Sequence, residues 1–323
     1  RYIIDIIPGA YNVIIATKDM LIGFKDIFNV RPFCIGRNHK GLCLSSESNA
    51  LQDYKLIKEL NGGEIVIIKQ NTYLCHKYVK SKLSINVTDD THNETSSCLF
   101  EYIYFMNNKS IIHNTKIYNI RYNFGKQLAK NETTISNSPL MNINNNINNN
   151  IIVIGSPDTG IPSGKGFADH LNLKYEQFIE KKKNAGRSFI LSEDAYRINE
   201  CKKKFLINDS ISIKNKIVYF IDDSLVRGHT MFRIVKLLKQ YNPKEIHIRI
   251  ASPKIINTCN LGIDLPTKDE LLMYSLNENE AKAILKINSI VFLKEDDMVV
   301  VMNNSINNHT SEITYNNKDN VKD

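Results

Sequence analysis

The run Val218 to Thr230, VYFIDDSLVRGHT, decides how this chain is read. Its opening residues are apolar and predict a buried strand that ends in Asp222-Asp223. Ser224 to Gly228 make a short loop, and a helix is predicted to open near Thr230. Each part has a physical use. Adjacent carboxylates at a strand end accept hydrogen bonds from vicinal hydroxyls and help hold Mg²⁺. A loop of small residues at a helix N-terminus offers backbone N–H groups to a phosphate, aided by the helix dipole. A lone Asp-Asp pair would read as a solvated turn or helix cap; the whole string, in strand–loop–helix order, displaces that reading.

Working outward, the same pattern repeats. Strands are predicted at 151–154, 175–179 and 246–251, with helices such as Met231 to Gln240 between some of them. Continuous apolar strands alternating with amphipathic helices indicate a parallel sheet covered on both faces. Ligands of such sheets bind at the carboxyl ends of the strands. After the first of these strands comes Ser156 to Phe167, SPDTGIPSGKGF, a Gly-rich turn whose amides a pyrophosphate could approach closely. Taken alone it is equally an ordinary strand-to-helix turn. Lys181 to Ile190, KKKNAGRSFI, is cationic, and Lys182 and Lys183 also read as a solvated charge run.

The N-terminal stretch is different. YNVIIA (11–16) and MLIGF (20–24) flank a polar turn as a hairpin would, and EIVII (64–68) is a further strand. No strand–helix alternation occurs here, so an antiparallel part packed on another layer is expected. Residues 79–97 are polar and read as a linker, and LFEYIYF (99–105) reads as a strand. Ile117, Ile120, Phe124 and Leu128 share one helix face. The Asn-rich run 142–150 is expected to be a disordered insertion and 303–323 a disordered tail. The expected division is 1–80, 81–302 and 303–323.

The net charge of +8 comes from scattered Lys and Arg, without a basic stripe interleaved with aromatics. An anionic small substrate explains it better than nucleic acid. No apolar run approaches the ~20 residues of a membrane span. The six cysteines, Cys34, Cys43, Cys75, Cys98, Cys201 and Cys259, are widely spaced without CxxC, which argues for a reducing, cytoplasmic setting and against a disulfide framework. Each reads first as a buried thiol.

The string Asp222 to Thr230 resembles the DDSIVRGTT signature of type I phosphoribosyltransferases, with His229 in place of a Thr and Met231 where small polar residues are common. Ser156 to Phe167 resembles the amidophosphoribosyltransferase segment VPDSGxPAAxGY. KKKNAGRSFI resembles that family's KNRYVGRTFI, CLFEYIYF (98–105) its CxFEYVYF, and GIDLPT (262–267) its GIDMPT. RPFCIG (31–36) and SESNAL (46–51) are similar to RPLCIG and SESCAL of its glutaminase domain. The resemblance runs from about Gly9 to Met298.

It implies an α/β fold: a type I phosphoribosyltransferase parallel sheet with helices on both faces, preceded by a partial N-terminal-nucleophile glutaminase layer of αββα type. It implies transfer of ammonia, free or from glutamine, onto 5-phosphoribosyl-1-pyrophosphate (PRPP) to give 5-phosphoribosylamine, the first step of purine synthesis. Asp158, Thr159 and Gly160 would serve the pyrophosphate, Asp222 and Asp223 the ribose, and Ser224, Val226, Arg227, Gly228, His229 and Thr230 the 5-phosphate. Thr159, Asp222 and Asp223 would lie at Mg²⁺, and Lys181 and Arg187 would belong to a closing loop that neutralises the departing pyrophosphate. Purine nucleotides are expected as feedback inhibitors, and a dimer or tetramer as the assembly. Cys98 and Cys259 fall on two of the four positions that hold an iron–sulfur cluster in some members, an incomplete ligand set. The nucleophile of the family's glutaminase is an N-terminal cysteine; this chain begins with Arg1, so use of free ammonia is expected rather than of glutamine. A nucleotide-binding regulatory paralogue without turnover and a salvage phosphoribosyltransferase are the competing readings.

Overall fold

The computed structural model describes residues 2–7, 9–77, 98–132, 140, 150–182, 205–265 and 267–313. The chain forms two compact units, one of residues 1–117 with 259–264, the other of residues 118–258 with 265–323. The expected linker 79–97, the Asn-rich insertion 142–150 except its last residue, and Arg187 lie outside the described residues.

In the first unit a short helix α1 (Tyr2–Ile6) precedes seven strands: β1 (Asn12–Ala16), β2 (Leu21–Lys25), β3 (Cys34–Asn38), β4 (Gly41–Ser45), β5 (Lys55–Glu59), β6 (Glu64–Lys69) and β7 (Thr72–Lys77). They make two antiparallel sheets, ordered β1-β2-β6-β7 and β4-β3-β5. The predicted first hairpin is present, with Asn12 opposite Lys25 and Ala16 opposite Leu21. Phe33, Ile35 and Leu60, in or beside β3 and β5, meet Val66 of β6 in a common core.

Residues 99–105 are not the expected strand. They coil into a wide helical turn, closed by Met106 N–H donating to the Glu101 carbonyl at 3.0 Å. Glu101, Tyr102 and Ile103 are consecutive and all buried, a pattern alternation cannot produce. The reason is Arg31, whose guanidinium draws the Glu101 carboxylate inward at 2.6 Å. A small hairpin, β8 (Ile111–Ile112) and β9 (Thr115–Lys116), follows.

The second unit opens with helix α2 (Ile117–Glu132), on which Ile120, Phe124 and Leu128 are buried as their spacing predicts. Then come β10 (Ile151–Gly155), α3 (Ile161–Leu171), β11 (Lys174–Tyr175), β12 (Ile179–Lys181), β13 (Phe205–Ile207), β14 (Ile217–Asp222), α4 (His229–Lys239), β15 (Glu245–Ile250), α5 (Leu272–Ser275), α6 (Glu278–Leu285), β16 (Ser289–Phe292) and α7 (Glu295–Ile313). Five strands form one parallel sheet in the order β11-β10-β14-β15-β16. The expected strand 175–179 is divided: β11 ends at Tyr175, and β12 leaves the sheet to pair antiparallel with β13. Between them the Tyr175 hydroxyl and the Ile179 carbonyl are both bonded to the Gln177 side chain, which closes the chain into a turn.

Successive residues of the parallel strands face opposite ways. Ile152, Ile154, Val218, Phe220, Ile246 and Ile248 pack with Ile234 and Leu238 of α4 and with Ala281 and Leu285 of α6. On the other face Tyr219 stacks on Phe167 of α3 at 5.6 Å and on His247 at 4.9 Å, and the Arg249 guanidinium lies 5.0 Å over the Tyr219 ring. Helices α2 and α3 touch at glycines: a Cβ on Gly125 would overlap the Ser163 carbonyl, and one on Gly166 the Tyr122 carbonyl. The expected tail from 303 is helical as far as Ile313. Three acids open α7, where they suit the helix dipole, and the Ser305 hydroxyl donates to the Val301 carbonyl at 2.8 Å.

Candidate functional site

The strand order of the parallel sheet carries a positional rule. The chain passes from β10 to β11 on one side, then returns to place β14 on the other side of β10. Such a reversal opens a crevice beyond the carboxyl ends of the two central strands. The two loops singled out in the sequence lie there side by side, since Gly155, the last residue of β10, is paired with Ile221.

After β10 the chain turns sharply. Ser156 N–H donates to the Ile221 carbonyl at 2.8 Å, which ties the first loop to β14. Gly160 must be a glycine, because a Cβ there would come within 2.8 Å of that same carbonyl. Asp158 takes a left-handed conformation with φ of 69°, tolerated by Asp more readily than by most residues. Its carboxylate pairs with the Lys181 ammonium at 3.3 Å, both largely exposed. The cationic segment after β12 thus begins beside the loop that the sequence assigns to pyrophosphate.

After β14 the second loop begins with two buried carboxylates. Asp222 Oδ1 accepts from the Asp223 N–H at 2.9 Å. Asp223 accepts from the Ser224 hydroxyl at 2.7 Å and, on its other oxygen, from the Thr159 hydroxyl. Thr159 therefore joins the two loops. Burial raises the Asp222 carboxyl above the usual carboxylate range, and the neighbouring Asp223 charge raises it further. Asp223 is likewise raised by burial, opposed by its bonds to Ser224 and Thr159 and by the Arg121 charge. Two buried acids with little compensating positive charge suit a cation: the pair, with the Thr159 hydroxyl, fits an ion such as Mg²⁺ that takes one or two protein carboxylates and fills its remaining positions from water and phosphate.

The loop ends at Gly228, whose φ of 78° favours glycine, and α4 starts with no side chain capping it among the described residues. Its first N–H groups are open to an anion. His229 and Thr230 are exposed at this end. Met231 instead is buried in the core with Leu225, which explains an apolar residue where the signature has a polar one. Arg227 is engaged by Glu270, Nε to Oε2 at 2.6 Å. Ser156, Arg121 and Glu270 were not among the residues picked out by sequence. The signal for Glu270 was at hand, three residues beyond the matched GIDLPT segment.

The two cysteines expected at a cluster position both fall in the first unit. Arg31 donates to the Leu261 carbonyl at 3.0 Å and to Glu101 at 2.6 Å, tying the segment after Cys259 to the segment after Cys98. Burial raises the Cys98 thiol. Among the described residues no group of three or more His, Cys, Asp or Glu could hold a metal ion. Two thiols do not fit a four-thiolate cluster. Cys34 is buried beside a pocket of about 380 Å³ in the first unit, and burial pushes its thiol up to about 12, the surroundings of a core thiol.

Residues 127–253 match the phosphoribosyl transferase domain family. The amidophosphoribosyltransferase of Methanocaldococcus jannaschii is 32% identical over 297 residues, 90% of this chain and 60% of the relative. The human amidophosphoribosyltransferase is 31% identical over 310 residues, 90% of this chain and 55% of the relative. The structure of the B. subtilis glutamine PRPP amidotransferase, complexed with ADP and GMP, superposes with a TM-score of 0.75 at 28% identity, covering 92% of this chain and 60% of that one. The chain spans 55–60% of the length of these curated relatives. With a parallel sheet, both loops at its switch point, and similarity along nine-tenths of its length, the chain is similar to amidophosphoribosyltransferases over the part of their length that it spans.

Proposed function

We propose that the second unit binds PRPP and Mg²⁺ in the crevice beyond β10 and β14, and that the protein makes 5-phosphoribosylamine from PRPP and ammonia, opening purine biosynthesis. The observation that carries this is the junction of the two loops through Thr159 and Asp223 at the topological switch point. The N–H groups at the start of α4, with Ser224 and Thr230, hold the 5-phosphate. Asp222 and Asp223 take the ribose hydroxyls and the cation. Asp158, Thr159 and Gly160 flank the pyrophosphate, and Lys181 neutralises it. When bound, Mg²⁺ supplies positive charge to the departing pyrophosphate. The ammonia nitrogen forms its bond to the anomeric carbon as the carbon–oxygen bond to pyrophosphate breaks. The pyrophosphate leaves with that electron pair, and the nitrogen releases a proton. The anomeric carbon passes through an oxocarbenium-like state, by analogy with glycoside chemistry.

Purine nucleotides as feedback ligands are part of the same reading, supported by the relative solved with ADP and GMP. Glutamine as the nitrogen source and a homo-oligomeric assembly are proposed on the similarity to amidophosphoribosyltransferases. The test is release of pyrophosphate from PRPP by the 323-residue chain, with ammonium as donor and Mg²⁺ present. Release that depends on all three supports the reading. PRPP binding without ammonia-dependent release would favour the regulatory paralogue, and no binding would overturn the site.

A further inference from the structure

Arg227 sits at the centre of the loop assigned to the 5-phosphate, where an arginine would ordinarily be taken for a phosphate ligand. The structure gives its guanidinium to Glu270. The Glu270 Oε2 takes Arg227 Nε at 2.6 Å, and its Oε1 takes the Thr267 hydroxyl at 3.2 Å. The residues on either side of Arg227 are gripped by the same segment. Leu272 N–H donates to the Val226 carbonyl at 2.9 Å. A Cβ on Gly228 would come within 2.9 Å of the Leu272 side chain. The gripping segment is itself fixed, because Leu271 and Met273 are buried. Three consecutive loop residues, 226, 227 and 228, are therefore held from outside by 270–272.

We infer that Glu270 is a positioning residue: it holds Arg227 as a brace that fixes the 5-phosphate loop, and Arg227 acts through this brace rather than by touching the phosphate. The inference rests on the reading of the loop under Proposed function. The phosphate needs no guanidinium from this position, since the uncapped N-terminus of α4 and the exposed Thr230 hydroxyl supply donors. A loop ordered before the ligand arrives loses less conformational freedom on binding, which is what a brace contributes. The bonds from Arg227 and then Thr267 hold the Glu270 carboxyl below the usual range, so it is ionised at neutral pH.

The competing arrangement predicts the opposite sign. If Arg227 reaches the phosphate and Glu270 merely competes for it, removing the Glu270 charge frees the guanidinium and tightens binding. The experiment is calorimetric titration of the 323-residue chain with PRPP and Mg²⁺, alongside hydrogen exchange of the loop amides without ligand. The variants are Glu270→Gln, Arg227→Gln, the double variant, and the charge swap Arg227→Glu with Glu270→Arg. The brace predicts that each single variant binds up to about fivefold more weakly, the range of an exposed ion pair. The double variant should be no weaker than either single one, the swap should recover affinity, and exchange at 225–228 should quicken in Glu270→Gln. Tighter or unchanged binding by Glu270→Gln, or additive losses with no recovery on swapping, would overturn it. Should the swap fail to fold, as thermal melting would reveal, the sign of the Glu270→Gln effect decides alone. A wild-type chain that does not bind PRPP overturns the functional reading instead, while the exchange result still judges the brace.

Discussion

Among the described residues of the second unit the deepest ion pair joins Glu132, at the end of α2, to Arg249, on β15. Both side chains are at most 2% exposed. Arg249 binds Glu132 through two nitrogens, Nε to Oε2 at 2.5 Å and Nη2 to Oε1 at 2.7 Å. Its Nη1 donates to the Ile248 carbonyl at 2.7 Å and to the Ser289 hydroxyl at 2.9 Å. The Tyr219 hydroxyl adds a longer bond to Glu132 at 3.3 Å. Taking two charges out of water is costly, and their attraction offsets the cost only while both are present. Glu132→Gln therefore leaves a buried guanidinium with its remaining neutral partners, a loss of about 3–5 kcal/mol. At about 2–4 °C per kcal/mol the melting temperature should fall by about 6–20 °C. Replacing both residues by apolar ones of similar size, Glu132→Leu with Arg249→Met, should recover most of that loss. Urea unfolding of the three proteins measures it. A Glu132→Gln cost below about 1 kcal/mol, or a double variant as unstable as Glu132→Gln, would refute the reasoning.

Two further predictions concern packing and pH. Gly125→Ala should destabilise the second unit by more than the about 1 kcal/mol that Ala usually gains over Gly in a helix, because the new Cβ overlaps the Ser163 carbonyl; thermal melting showing no loss would contradict the close helix contact. Lys25, buried and bonded to Asn29 and to the Arg31 and Leu60 carbonyls, is lowered by burial from 10.5 to about 8. The folded state then binds fewer protons than the unfolded one between those values, so Lys25's contribution to stability rises with pH across that window, by up to about 3 kcal/mol. Cys34, raised to about 12, acts in the opposite direction above its ordinary value of 9, but it is common to both proteins when wild type is compared with Lys25→Met. Urea midpoints at pH 7.5 and 10 should show wild type gaining on the variant. A difference independent of pH would sink this assignment.

The parallel sheet was legible because its strands are buried on both faces and so read as unbroken apolar runs, as at Ile217 to Ile221. The two loops were legible because a carboxylate pair, Asp222 and Asp223, and a glycine turn at Gly160 follow directly on apolar runs, and the structure places both at strand ends. What escaped the sequence depends on partners far away in the chain. Residues 99–105 look like a strand until Arg31 draws Glu101 inward. β12 looks like a continuation of β11 until β13 supplies its pairing. Nothing in the sequence marks Glu132, yet Arg249, 117 positions later, pairs with it and leaves it the most buried acid among the described residues of the unit. Glu270 lies just beyond the matched GIDLPT segment, and its partner Arg227 is 43 positions away in the chain. Composition misled at 303–313, where asparagines read as disorder but Val301, Met302 and Ser305 on the inner face continue the helix.

The central claim is that Asp222 and Asp223 hold PRPP with a divalent cation, and titration calorimetry of wild type against the Asp222→Asn, Asp223→Asn double variant tests it most directly. Burial already disfavours these charges, so their loss should leave the fold intact, which melting curves would verify. Each hydrogen bond to a charged acceptor is worth about 1.5–3 kcal/mol, so losing two should weaken binding by roughly 10²–10⁴-fold. The account predicts Mg²⁺-dependent binding of PRPP by wild type and its near-abolition in the folded variant. Equal affinity in the two proteins, or wild-type binding indifferent to Mg²⁺, would contradict it.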